Sequence, residues 1–443
     1  MNATSFQLGR TNLVTAIRHL RAGPGGSAVV PLVCLLLIGT ASPAAATAGD
    51  LDKSFSGNGK VTTLFTGPLD SAHALVLQAD GKIVAVGMSS AGNGRFGLAR
   101  YSPNGTLDSS FSGNGKVTTN VGSASAAVAV AIQPDDKIVA VGPSVVDRHR
   151  VKFGLARYSP EGGLDPSFGG DGKVTTRIGS GARIGPGPGA FAVVLRPDGK
   201  IVAVGSAAVG GHARFALARY KPDGTLDPSF GGDGKVTTRV GSGSGAAAAV
   251  LQPDGKIVAV GSASVGGAHR FALARYRPDG TLDPSFGGDG KVTTRIGGGF
   301  ARAVALKPDG RIVAVGVSGS LQSQHRRFAL ARYSPNGSLD PSFSGNGKVI
   351  YAMQSSNGAY GVALQSDGKI VAVGDEGNRF ALLRYKSNGT LDPSFGGDGK
   401  ITTWVGQYAG AYAVAVQPNG KIVAAGDGGG IPGKFALVRY LGS

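Results

Sequence analysis

Residues 226–276 read LDPSFGGDGKVTTRVGSGSGAAAAVLQPDGKIVAVGSASVGGAHRFALARY, and the fold follows from this stretch. Four segments suit strands, at 235–239, 247–252, 256–261 and 271–276. Three are near-continuous apolar runs, so both of their faces should be buried between neighbouring sheets. The Pro-Asp-Gly and Asp-Gly sequences between the runs provide the φ > 0 positions of tight turns. They recur too often for a helix to fit.

Outward from this stretch, the same unit occurs seven times. Leu-Asp opens a copy near residues 51, 107, 164, 226, 282, 339 and 391, and the last copy ends at Tyr440. A four-stranded unit with two buried faces cannot stand alone, but seven arranged radially cover one another. The expected fold is all-β: a seven-bladed β-propeller, four antiparallel strands per blade, in one domain over 49–443. The Ala-rich strand suits the crowded centre, and the polar Lys-Val-Thr-Thr strand suits the outer edge. Residues 60–63 would then complete the last blade, whose other strands are C-terminal. An open solenoid is the competing arrangement, and neither end of the array shows the atypical copy that would cap one.

Composition points the same way. The 443 residues include 76 Gly and 25 Asp but only 2 Glu, which argues against a helix-rich enzyme fold. Residues 1–48 stand apart, with Arg10, Arg18 and Arg21, no acid, an apolar run at 28–38, and Ala46-Thr47-Ala48. That order reads as a secretory signal peptide cleaved after Ala48, with an uncleaved anchor as the alternative. The apolar run is too short to span a bilayer. The chain is therefore expected to be secreted, extracellular or on the cell surface, with no membrane span after cleavage. Its one cysteine, Cys34, lies in the leader, so the mature chain has no thiol for disulfides or thiolate metal sites.

The succession LDPSFGGDGKVTT, LQPDGKIVAVG and FALARY resembles the delta-60 repeat, which occurs in tandem in secreted bacterial proteins. The resemblance spans residues 49–440. It implies a propeller-like exported protein and brings with it no reaction, catalytic residue or cofactor.

What repeats is read as scaffold. The FALARY arginines, Arg100, Arg157, Arg219, Arg275, Arg332, Arg384 and Arg439, are expected between blades, each paired with a Leu-Asp carboxylate. The GGDG acids, such as Asp233, Asp289 and Asp398, invite a calcium reading. Asn58, Asn114 and Asn346 replace them in three copies, which favours a turn role instead.

What varies is read as function. Successive connections of an up-and-down blade leave on opposite faces, so the Pro-Asp-Gly and Leu-Asp turns share one face and the two variable stretches share the other. By this sorting the turn face carries 20 basic and 21 acidic residues, and the variable face 15 basic and 5 acidic. The candidate ligand-binding residues are Arg148, His149, Arg150, Arg177, Arg183, His212, Arg214, Arg239, His269, Arg270, Arg295, His325, Arg326 and Arg327. They would form a basic crescent for an anion, with an acidic polysaccharide or another cell-envelope polymer as the partner. Solvated surface charge without a partner is the bland alternative. Nucleic acid is not expected, because the loops lack interleaved aromatics for base stacking. No metal or cofactor is expected, since the histidines lie on separate blades. No catalytic residue is assigned. A lyase acting on an acidic glycan, with arginine neutralising a uronate and histidine or tyrosine as base, is the enzymatic alternative to a non-catalytic binding module. A purely structural surface protein is a third reading.

Overall fold

The computed structural model describes residues 46–90, 92–146, 150–180, 189–319 and 326–442. Each copy folds as its apolar runs and glycine turns require. In blade 4 the inner strand Gly243–Leu251 pairs with Ile257–Val265, then Ala268–Tyr276, and Lys291–Thr294 of the next copy is the outer strand. The Ala-rich strand is thus innermost and the polar strand outermost. Blades 5 and 6 are linked by one continuous strand, Lys348–Leu364.

The ring closes on itself. Blade 7 consists of Gly410–Val416, Ile422–Asp427, Phe435–Tyr440 and, from the other end of the chain, Lys60–Thr63. The register runs from Lys60↔Val438 to Thr63↔Phe435. Each seam between blades has its own core. Val204, Phe215 and Leu217 of blade 3 meet Ile257, Ala259 and Ala272 of blade 4, and Ala85 and Ala99 of blade 1 meet Val423 and Leu437 of blade 7. Burying one such Val, Ile or Leu contributes about 1.5–3 kcal/mol, so no blade is stable without its neighbours. The seven-bladed reading holds and the open solenoid does not.

The repeated arginines hold the seams. Arg219 Nε lies 2.8 Å from Asp227 Oδ2, its Nη2 donates to Ser229 Oγ at 2.7 Å, and its Nη1 donates to the Pro278 carbonyl of the next copy. Its guanidinium also stacks 4.7 Å from the centre of the Phe230 ring. Arg439 repeats the arrangement across the closure, 2.6 Å from Asp52 and stacked on Phe55.

The closure also rebuilds a turn from two chain segments. In the turn after blade 4, Gly280 N donates to Arg277 O, Arg277 N to Thr281 O, and Gly231 N to Asp279 O. At the closure, Gly49 N donates to Leu441 O (2.8 Å), Leu441 N to Asp50 O (2.9 Å), and Gly396 N to Ala48 O (3.1 Å). Ala48 is buried and Gly49 takes φ +99°, the conformation of the glycine it replaces. Thr47 and Ala48 therefore belong to the folded ring, and the boundary expected at 48 falls inside a built turn.

The variable stretches are not all loops. In blades 2, 3 and 4 the second and third strands continue as a paired ribbon, such as Ile201–Val209 with His212–Tyr220, turning at Gly210 and Gly211 with φ +59° and +78°. Small residues alternate along these ribbons, as in Ser206-Ala207-Ala208-Val209, so no hydrophobic run marks them as strands.

Candidate functional site

The variable segments emerge together on one face. Hairpin residues bond to the links between blades at Ser125 N→Gly94 O (3.0 Å), Ala409 N→Asn378 O (3.2 Å) and Gly433 N→Pro68 O (2.7 Å). On the other face, Asp227 of a Leu-Asp turn meets Lys200 of the Pro-Asp-Gly hairpin at 3.2 Å.

The predicted crescent can now be placed. Arg177, Arg239 and Arg295 are exposed and directly follow the outer strands that end at Thr176, Thr238 and Thr294. Two of them fold onto their own links, Arg177 Nε to Gly179 O (3.1 Å) and Arg239 Nε to Gly241 O (3.0 Å). The ribbons carry exposed Arg150 and His212 and half-buried Arg214, His269 and Arg270. Arg326 and Arg327 open the third strand of blade 5. Arg148, His149, Arg183 and His325 lie outside the described residues. The described members are spread around the rim and do not converge on one point.

The convergent site is the central channel, which the sequence reading did not propose. Every inner strand begins with a β-bulge or break, marked by the register shift between Ala72 and Ala74, Ala190 and Ala192, Ala246 and Ala248, Ala301 and Ala303, Ala359 and Gly361, and Ala411 and Ala413. In blade 2 the break lies between Ala124–Ser125 and Ala129–Ile132. A bulge sets one residue outside the ladder and re-aims its side chain. Each requires the glycine of the facing IVAVG motif: a methyl on Gly205 would stand 1.9 Å from Gly189 O, and one on Gly426 1.8 Å from Gly410 O.

The skipped residues are His73, Val128, Phe191, Ala247, Arg302, Tyr360 and Tyr412, and all seven line one cavity of about 410 Å³. The scaffold repeats and these side chains do not. Arg302, assigned above to the variable face, thus sits within the channel. The polar members occupy consecutive blades, 5, 6, 7 and 1. The Arg302 guanidinium stacks 3.9 Å from the Tyr360 ring centre, Tyr360 meets Tyr412 edge-on at 5.0 Å, and His73 meets Tyr412 at 6.1 Å. Val128, Phe191 and Ala247 form the apolar wall opposite.

Two carboxylates support the polar wall, again from a position that varies between copies. The residue after IVAVG is Met88, Pro143, Ser206, Ser262 and Val317 in five blades, but Asp375 in blade 6 and Asp427 in blade 7, where the motif reads IVAAG. Asp427 accepts the Tyr412 hydroxyl at 3.1 Å and the Gly410 amide at 2.8 Å. Asp375 Cβ, Asp427 Oδ1 and the Tyr412 hydroxyl all lie within 3.4–3.6 Å of where a methyl on Gly410 would stand, so these groups gather around one point. Burial pushes the Asp427 carboxyl above the usual carboxylate range, with the Asp375 charge adding to it. Burial lowers His73 below its ordinary value. Its Nδ1 lies 3.1 Å from the Ala127 carbonyl, which can only accept, so Nδ1 carries the proton and Nε2 the lone pair. Arg302 Nη1 is enclosed without an acceptor among the described residues.

The signal was present in the sequence. Within a near-constant Ala-x-Ala frame, x runs His, Val, Phe, Ala, Arg, Tyr and Tyr, and in copy six the second Ala is Gly361. Sorting charges by connection, and not by position within a strand, passed over it.

Fold and site together define a closed β-propeller with a basic rim and a non-repeating channel. Six segments, 78–111, 133–168, 196–230, 252–286, 307–343 and 365–395, match the model of a family described as a domain of unknown function (DUF5122) beta-propeller. The repeats of this chain are similar to those of that β-propeller family. No curated protein matches the chain. Among solved structures, virginiamycin B lyase from Staphylococcus aureus aligns at 11% identity over 86% of this chain and 98% of that one, with a TM-score of 0.50. The polysaccharide lyase Uly1 aligns at 10% identity over 84% and 90%, with a TM-score of 0.45. The periplasmic gluconolactonase PpgL of Pseudomonas aeruginosa aligns at 14% identity over 81% and 96%, with a TM-score of 0.46. At these identities the likeness is one of fold alone.

Proposed function

We propose that this protein is exported, as its leader and its likeness to the delta-60 repeat imply, and is a non-catalytic binding module whose basic face holds an acidic polysaccharide or another cell-envelope polymer. One observation carries the reading: among the described residues, no carboxylate lies within ion-pair distance of Arg150, Arg177, Arg239, Arg295 or Arg327, whereas turn-face lysines such as Lys82, Lys137, Lys200 and Lys256 each contact two carboxylates. A long-range field from uncompensated arginines collects polyanions at low ionic strength and fades as salt shortens the Debye length to about 8 Å at physiological strength. The protein should be retained on immobilised acidic polysaccharide at low salt and released by moderate salt. Changing Arg177, Arg239 and Arg295 to Glu should abolish retention. Retention by the triple variant, or none by the parent chain, sinks the proposal. Release of an ultraviolet-absorbing unsaturated sugar from the same polymer would replace binding with the lyase reading.

A further inference from the structure

We propose that the polar wall of the channel, Arg302, Tyr360, Tyr412, His73 and Asp427, is a binding site for a single acidic pyranose, a sugar carrying one carboxylate and several hydroxyls. The inference stands apart from the basic face, because the residues and the probe differ.

The channel has the size of a small-molecule pocket, with one apolar and one polar wall. Arg302 stacks by its plane on Tyr360, which leaves the edge of the guanidinium, where its forked donors lie, for a carboxylate. Its enclosed Nη1 has no acceptor among the described residues, so the guanidinium is incompletely compensated there. The perpendicular Tyr360 and Tyr412 rings offer apolar surface to the C–H face of a sugar. His73 Nε2 accepts a hydroxyl proton, and Asp427, behind Tyr412, orients the tyrosine hydroxyl.

The same geometry selects against other anions. Asp375 and Asp427 sit behind the tyrosines, so a second negative charge would meet carboxylates while hydroxyls would meet acceptors. Phosphate monoesters, which carry a second charge near neutral pH, are therefore disfavoured relative to a monocarboxylate.

The test is calorimetric titration of the full chain with methyl β-D-glucuronide and with methyl β-D-glucoside at low salt. The glucuronide should bind about tenfold or more tightly than the glucoside, the difference one charge-assisted pair makes. Arg302→Gln should erase that preference. Ala247→Trp, which fills the channel from the opposite wall and leaves every polar residue intact, should abolish binding of both sugars. Titrated at physiological salt, the triple rim variant should keep its glucuronide affinity within about twofold, because charges beyond a Debye length of about 8 Å are screened there. No glucuronide binding by the parent chain, a preference surviving in Arg302→Gln, or affinity lost in the rim variant alone each overturns the channel site. A parent chain that binds the glucuronide but is not retained on the polymer would overturn the basic-face proposal only.

Discussion

On the turn face, Lys82 lies 2.8 Å from Asp80 and 3.7 Å from Asp108, and Lys137 and Lys256 repeat this with Asp135 and Asp165 and with Asp254 and Asp283. On the opposite face, arginines of the links and ribbons have no such partners among the described residues. The acids counted on that face are largely withdrawn from its surface. Asp70 is buried and accepts the amides of Phe65 and Ser90, both at 2.9 Å, and Asp427 turns into the channel. A repeated motif brings its own counter-charge, since the hairpin places acid and base two residues apart in six of the seven copies, Asn419 standing in for the acid in the last. A segment that varies has no such constraint, and its charge is left to act on a partner.

The comparison can be broken most decisively on the turn face. Arg219→Met removes the buried cation of Asp227, leaving only the more exposed Lys200 beside the carboxylate, and should cost about 3 kcal/mol, read as a lower urea midpoint. Rim variants that cost as much would erase the contrast.

Acid should produce a smaller, shared effect. For Asp108, burial raises the carboxyl, but the Ser110 hydroxyl and amide and the charges of Arg100 and Lys82 outweigh it, so its folded value lies below the ordinary one. Asp52, Asp165, Asp227, Asp283, Asp340 and Asp392 are lowered in the same way. A depressed carboxylate contributes its stability fully above the unfolded value of about 3.9 and loses it as pH falls further. Stability should therefore drop below about pH 4, and Asp227→Asn should be less stable than the parent at pH 7 with a shallower acid loss. Asp427 has the opposite sign, because its carboxyl is raised and protonation favours the folded ring. An acid transition that Asp227→Asn leaves unchanged would remove the seam carboxylates as its cause.

The smallest effect belongs to the rim. Changing Arg177, Arg239 and Arg295 to Ala should shift stability by no more than about 0.5 kcal/mol each, since these side chains are exposed and bond only within their own links. A larger loss would make them scaffold.

Much of this was legible in advance. The Leu-Asp spacing counted the blades, the apolar runs located the buried strands, and the FALARY arginines could be matched to their carboxylates because a buried cation must have a partner. The turn role of the GGDG position follows from geometry as well. Asn58 and Asp233 each accept the amide two residues on, at 2.9 Å and 3.0 Å, with the same oxygen. The ribbons of blades 2 to 4 escaped because their strands mix Ser and Ala with Val, Arg and His and show no sustained apolar run, and the channel escaped because bulges break the period of two on which strand reading depends.

Sequence alone thus determined the number of blades, the order of strands within each, and the side of the ring on which the irregular segments emerge, because repetition and antiparallel pairing leave few other solutions. Only tertiary structure decided which variable residues meet. Seven bulges, far apart along the chain, aim their side chains at a common axis, and that convergence comes from closing the ring, not from any local property of the strands.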